Sequence, residues 1–407
     1  MLSFVLGILL LSAGGALAQD WPQWRGPNRD NKVVGFVAPK SWPKELTKKW
    51  TAPVGVGEAS PVLLGDKVFT FGRIDGNEVA ICLDAATGKE VWKEKYPAAA
   101  LTNAAAPFPG PRSTPAASDG KVCTLGVHGI ITCRNAATGK ELWRKETKEP
   151  KFATSSSPII ADGMCIVYGK DLTAYDLATG AVKWQWKDGG TPYGSPVFMT
   201  VDGVKQVVTP FDGGLVGVSA ADGKFLWKVT SPVSGYANSY STPVVEGATL
   251  VYSFSTPVPK KAGGKGGGGG SMIALKIEKK GDAFTTTELW KKSFAPIGYV
   301  TPTLKDGLLY GVSSGLTFFC LDAKTGEQLW ADSAKRGVCG SILDAGAVML
   351  SLTSDSKLVA FEPSGTAYKQ VAQYTVSNEE TWGVPIIAGN RVYVKDKGGT
   401  LTLWTIE

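Results

Sequence analysis

The sequence predicts an all-β fold, an eight-bladed β-propeller of four-stranded blades, closed by pairing an N-terminal strand with the C-terminal blade. Three observations carry this. One phrase of residues recurs, as CLDAATGKEVW (Cys82–Trp92), CRNAATGKELW (Cys133–Trp143), YDLATGAVKW (Tyr175–Trp184) and CLDAKTGEQLW (Cys320–Trp330). Its period of roughly 40–50 residues marks a repeat architecture. A Ser-Pro or Thr-Pro pair precedes most units, and the two chain ends hold complementary fragments of one unit.

Each part of the phrase has a physical role. The residues before the Asp are β-branched or aromatic, as a half-buried strand requires. Asp84, Asn135, Asp176 and Asp322 can bond the backbone two residues on and open a turn. Gly88, Gly139, Gly180, Gly223 and Gly326 supply the positive φ of a tight hairpin. Four residues after each Gly stands a Trp, and a Trp at one fixed place in every unit is a packing wedge between neighbouring units rather than a sugar or cofactor stacker. The wedges are Trp50, Trp92, Trp143, Trp184, Trp227, Trp290 and Trp330, with Tyr374 in the eighth position.

The second mark opens the innermost strand of each unit, where the missing N–H of Pro is tolerated. It reads Ser60-Pro61, Thr114-Pro115, Ser157-Pro158, Ser195-Pro196, Thr242-Pro243 and Thr301-Pro302, with Val384-Pro385 as a variant and Ser341-Ile342 keeping the place without Pro. Hairpins such as Lys67–Phe71 turning into Val79–Leu83 lie between the marks, giving the strand content of a propeller blade. Leu46–Ala52 looks like a final strand with nothing before it, and the chain stops at Thr400–Glu407 with a third strand and no fourth. Joining the two completes the last blade with Trp50 and abolishes an open edge.

Three segments stand apart from the repeats. Residues 1–18 contain the apolar run Leu2–Leu11 and end Ala16-Leu17-Ala18, which reads as a secretory signal cleaved before Gln19; the run is too short for a membrane span. Residues 19–45, opening DWPQWRGPNRD, hold too many Trp and Pro to be a solvated linker and are expected to pack on the propeller, which occupies 46–407. A Gly-rich stretch at 257–271 has neither the Gly-Lys-Ser/Thr order nor the following helix of a phosphate loop and reads as a flexible surface loop.

Composition narrows the function. With 43% hydrophobic and 19% charged residues the chain is globular, and its 50 glycines suit many turns. The net charge of +7 is scattered without a basic stripe or nucleic-acid motif, which speaks against DNA or RNA binding. Six cysteines in an exported chain allow disulfides. Cys123 and Cys133 flank a short hairpin and are candidates for a bridge across it, with small buried core residues as the alternative reading. There is no CxxC metal spacing, and the single histidine, His128, sits at an expected hairpin tip, so a His-based zinc site and a Ser-His-Asp triad are both disfavoured.

These repeats resemble the PQQ-like (pyrroloquinoline quinone) propeller superfamily, with its Asp-x-x-Thr-Gly-x-x-x-Trp blade motif, over about Leu46–Glu407. The resemblance implies either of two activities. Quinoprotein dehydrogenases of that superfamily carry adjacent cysteines over the cofactor, and none of the six cysteines here has a Cys neighbour. The non-enzymatic BamB-like branch matches the chain in size, although the Trp-rich opening is extra and no lipid-attachment Cys follows the signal. The expectation is therefore a periplasmic or secreted monomer that binds and scaffolds without catalysis, with no catalytic or metal residues and no cofactor, acting on a protein partner or small ligand in cell-envelope protein assembly. The alternative is a small PQQ- and calcium-dependent alcohol or sugar dehydrogenase.

Aligning the units within the chain gives a candidate site. Three residues before each strand-opening Pro, or its equivalent, stand Glu58, Arg112, Ser155, Tyr193, Tyr240, Tyr299, Cys339 and Trp382. Innermost strands begin near the mouth of the central channel, so these eight should form a ring there, and such mouths are common ligand sites. The ring is expected to bind a small molecule or peptide segment; a water-filled polar rim with a Glu58–Arg112 pair is the alternative.

Overall fold

The computed structural model describes residues 20–99, 101–102, 106–147, 153–190, 193–230, 241–256, 269–294, 300–313 and 316–407. The expected secretory signal and residues 257–268 of the Gly-rich loop lie outside these. Among the described residues all regular structure is β, and no helix is long and apolar enough to cross a membrane.

Eight antiparallel four-stranded sheets follow one another along the chain. The first blade runs Val62–Leu64, Lys67–Ile74, Asn77–Asp84 and Glu90–Pro97, from the inner strand to the outer. The next six occupy 116–146, 159–186, 197–230, 244–294, 303–331 and 340–375. The eighth combines Ile386–Ala388, Arg391–Lys395 and Thr400–Thr405 with Thr47–Pro53 from the other end of the chain. That closing pair is antiparallel, with Thr51 opposite Thr402 and Ala52 opposite Leu401. In the fifth blade, Gly269–Ser271, expected as the end of the loop, instead extend a strand and pair with Phe254–Thr256.

The core sits between blades. Phe69, Cys82 and Trp92 of the first blade pack with Val122 and Ala136 of the second, and equivalent clusters recur around the ring. The wedge explains the spacing of the repeated phrase. Trp92 donates its indole N–H to Ala136 O (2.9 Å) in the turn of the following blade, and Trp143 reaches Leu177 O (3.0 Å) in the same way. Trp184 bonds Ala220 O, Trp290 Ala323 O, Trp330 Ser364 O and Trp50 Ala85 O. An indole burying on the order of 200 Å² contributes up to about 5 kcal/mol at ~25 cal/mol per Å². The turn Gly packs on the preceding wedge: a Cβ on Gly139 would stand 2.8 Å from the Trp92 ring.

Two wedges differ for a local reason. The fifth blade lacks the Asp-x-x-Thr-Gly turn, and Trp227 turns back to Gln206 Oε1 (2.6 Å) in its own blade. Tyr374 faces a blade whose last two strands come from opposite chain ends, and its hydroxyl bonds Pro43 O (2.8 Å) before the closing strand. The turns themselves form as the residue types dictate: Asp84 Oδ1 accepts from both the backbone N–H and the hydroxyl of Thr87, and Asp176 and Asp322 repeat this with Thr179 and Thr325. A β-bulge just before the wedge recurs in seven blades, as between Cys82 and Leu83 opposite Trp92 and Glu90; in the seventh blade the bulge instead precedes Ala372, two residues ahead of Tyr374. The bulge expels Val91, Leu142, Leu289 and Leu329 to the surface while the adjoining Trp turns inward.

All six cysteines are buried free thiols. Cys123 and Cys133 are directly opposed across their hairpin but unbridged, so the structure corrects the disulfide candidate in favour of small core residues. They pack in an apolar cluster with Cys165, and the Cys133 thiol points to Leu177 O (3.7 Å) of the next blade.

Candidate functional site

The Ser or Thr of each strand-opening pair builds the wall of the channel. The Ser60 N–H donates to Thr114 Oγ1 (3.1 Å), Thr114 N–H to Ser157 Oγ, Ser157 N–H to Ser195 Oγ, Ser195 N–H to Thr242 Oγ1 and Thr242 N–H to Thr301 Oγ1. Val384 N–H completes the other end by donating to Ser60 Oγ (2.7 Å). Each hydroxyl thus ties its blade to the one before. The belt is interrupted at the seventh blade, where Ser341 Oγ is buried and without a hydrogen-bond partner among the described residues. The Pro of each mark is the visible half of this device, and the hydroxyl is the half that sequence reading missed.

Above the belt lies a cavity of about 390 Å³. Of the aligned ring residues, Glu58, Arg112, Ser155, Tyr193, Cys339 and Trp382 all line it. Tyr240 and Tyr299 fall outside the described residues. One further side chain, Phe108, enters from the connection between the first two blades, where alignment gives no signal. Phe108 stacks edge-on against Trp382 (5.1 Å between centroids), and Lys397 lies over both rings. Glu380 fixes this corner by accepting from Trp382 Nε1 (3.0 Å) and pairing with Lys397, and these two contacts hold its carboxyl below the usual range.

Glu58 is the one carboxylate among the described lining residues. Both its oxygens are buried and accept no hydrogen bond among those residues. Burial pushes its carboxyl up, against the opposing pull of Lys395 and Arg112. Lys395 is 3% exposed, donates to Gly57 O, and is pushed down to about 8 by burial. Arg112 donates to Phe108 O (3.2 Å). Cys339 is buried, and desolvation pushes its thiol up to about 12.

The opposite face of the belt is sealed by the chain's own opening segment. Trp21, 1% exposed, is held in a bridge to Leu63 with reciprocal backbone bonds. Pro22 O accepts from Ala117 N, and Val33 N donates to Asp344 O. Arg25 points its guanidinium at Thr301 O and Pro302 O, while Arg29 spans Ser157 O, Pro158 O and Pro196 O. Asn31 donates to Ile342 O (2.8 Å). Apolar packing was the expectation for this segment; the buried content is equally cationic and amide. Carbonyls of the inner-strand starts, otherwise unpaired, demand donors. Burial lowers both Arg side chains, Arg29 to about 9. Trp24, Arg25 and Asn31 also reach the cavity and close its inner end.

A calcium-bound quinone, as the dehydrogenase alternative requires, would need several oxygen ligands including carboxylates. The described lining offers Glu58 alone, flanked by Lys395 and Arg112, and no group of three or more His, Cys, Asp or Glu among the described residues is arranged to hold a metal. These residues do not fit that group.

Residues 75–258 and 279–407 match the family model described as outer membrane protein assembly factor BamB. A relative of that name from Burkholderia pseudomallei is 26% identical over 371 residues, covering 87% of each chain. Among solved structures, BamB from Moraxella catarrhalis superposes with a TM-score of 0.63 at 14% identity, covering 89% of this chain and 98% of the other. A europium-containing methanol dehydrogenase superposes at 0.66 with 13% identity over 95% and 98%, a likeness of fold alone. With its repeats, its closed ring and more than half its length matched, the chain belongs to the outer membrane protein assembly factor BamB family.

Proposed function

We propose that the mature protein is an exported, non-catalytic binding and scaffold propeller that serves cell-envelope protein assembly, with the channel-mouth ring as its binding face. The observation that carries this is the cavity: residues from one aligned position of six blades converge on a single space, closed behind by the protein's own segment. An enclosed, mixed apolar and polar pocket of this size is the ordinary form of a ligand site. The family's name supplies the assembly role. A catalytic reading would need a donor set that the described lining lacks.

The test uses the chain from Gln19 and an unfolded outer-membrane β-barrel protein as probe, since alternating strands of that kind are what an assembly factor meets. Saturable binding is expected, with the double variant Arg112→Ala/Trp382→Ala abolishing it while the melting temperature stays nearly unchanged. Binding that survives the double variant would remove the ring from the account. PQQ with Ca²⁺ and an alcohol panel, followed by cofactor absorbance and dye reduction, is expected to show neither binding nor turnover; dye reduction would overturn the non-catalytic reading.

A further inference from the structure

We propose that the mouth cavity takes the C-terminal end of a peptide chain, with the terminal carboxylate at Arg112 and an apolar last side chain against Trp382 and Phe108. This rests on the reading of the ring as a binding face and names the part of a partner that the face receives.

The shape of the cavity selects a chain end. Trp24, Arg25 and Asn31 of the sealing segment close its inner end, so an extended chain can enter from the mouth and cannot run through. The mouth reaches solvent at the Trp382 corner, where the side chains of Lys397 and Glu380 are 36% and 52% exposed. A volume of about 390 Å³ lies at the small end of ligand pockets, which span roughly 300–1,000 Å³, and leaves no room for a loop with both its arms.

The placement of accessible groups orients that end. Arg112, Ser155 and Tyr193 line the cavity, are each only half-buried, and precede the inner strands of three consecutive blades, the second to the fourth. They set hydrogen-bond donors along one side of the mouth. Trp382, before the eighth blade, offers an aromatic surface with Phe108 edge-on at 5.1 Å. Phe108 joins the two sides, because its carbonyl accepts from the Arg112 guanidinium (3.2 Å). A last residue carries its carboxylate and its side chain on one Cα, and a guanidinium held beside an aromatic pair suits both.

Charge decides which end of a chain enters. Arg25 and Arg112 line the cavity. Glu58, the one carboxylate among the described lining residues, presents no charge to it: its oxygens are sealed in the wall, burial pushes it toward the neutral form, and Lys395 stands close enough to offset what remains. The field of the described lining is therefore positive, which repels an N-terminal ammonium and draws in a carboxylate. The planar fork of Arg matches that group in geometry as well as charge, and capture of a terminal carboxylate is a recurring mode of peptide recognition.

Five probes separate the readings by calorimetry on the mature chain: acetyl-Gly-Ser-Gly-Ser-Phe with a free C-terminus, the same peptide as its C-terminal amide, a version with Phe in the middle and an amidated end, a version with Phe first and a free amine, and 3-phenylpropionate. The free-acid peptide should bind most tightly, about tenfold better than its amide. Arg112→Gln should bring the ratio of acid to amide close to one, Arg112→Lys should restore part of it, and Trp382→Leu should weaken acid and amide alike with the ratio kept. The wild-type series stands by itself if Arg112→Gln does not fold. Equal binding of acid and amide, tighter binding of the amine-first or internal peptide, 3-phenylpropionate matching the peptide, or no saturable binding of any probe at millimolar concentration overturns the proposal. Such a failure, with capture of the unfolded barrel protein still dependent on Arg112 and Trp382, removes only the chain-end chemistry. Loss of that dependence removes the binding-face reading itself.

Discussion

Replacing Gly139 by Ala tests the interlocking of turn and wedge directly. Gly139 has φ +76°, and a Cβ built there stands 2.8 Å from the Trp92 ring of the preceding blade. Gly120, in the same blade, has φ +68° and nothing within 4 Å of the same atom. A left-handed conformation costs an L-residue about 1–2 kcal/mol, and overpacking a filled core costs about 1–3 kcal/mol more. Gly139→Ala should therefore destabilise by roughly 2–5 kcal/mol and Gly120→Ala by only about 1–2 kcal/mol. Equilibrium urea unfolding, followed by both indole fluorescence and far-UV circular dichroism, measures the difference wherever the two transitions coincide. In a Trp92→Leu background the excess at Gly139 should vanish, because the clashing ring is gone. Equal costs at the two glycines would show that backbone conformation alone fixes the turn residue, and that the blade-to-blade contact plays no part.

Two further outcomes follow from the ends of the chain and from the buried lysine. Thr51→Cys with Thr402→Cys places a bridge across directly opposed residues of the closing strands. It encloses nearly the whole propeller, so the oxidised form should gain about 5–6 kcal/mol over the reduced form; no gain would mean that the closing pair stays formed in the unfolded ensemble. Lys395 is pushed from 10.5 down to about 8 by burial, so between those values the folded protein binds fewer protons than the unfolded one. Stability referenced to Lys395→Met should then rise with pH from 8 to 10.5, the cost of burying the charge being fully present below 8. Parallel pH profiles for the two proteins would refute that account.

The blades were legible because a repeat compares itself. Trp92, Trp143 and Trp184 announce a common packing position by recurring, and the complementary fragments at Leu46–Ala52 and Thr400–Glu407 announce their own pairing. Alignment led to six residues of one cavity for the same reason, since residues at one repeat position share one height in the channel. What recurrence did not expose is the identity of partners. The hydroxyl of Thr114 serves Ser60, a residue of the blade before, and nothing local to either residue says so. Trp227 carries the usual wedge position, yet its partner changed because the following blade lost its turn motif. Phe108 reaches the cavity, and Lys397 reaches the Phe108 ring, from outside the aligned ring positions, so neither carried a signal. The partners of Arg25 and Arg29 were equally invisible, because the carbonyls that hold them come from blades far along the chain.

The sealing segment has a consequence for the order of events. Outside their own segment, the hydrogen-bond partners of Trp21, Arg25, Arg29 and Asn31 all lie later in the sequence, from Leu63 to Asp344, spread over the inner strands of several blades. The complete docking surface of this segment therefore does not exist until the seventh blade does. A polypeptide delivered N-terminus first carries its keystone at its leading end and sets it last, when the arch is already standing.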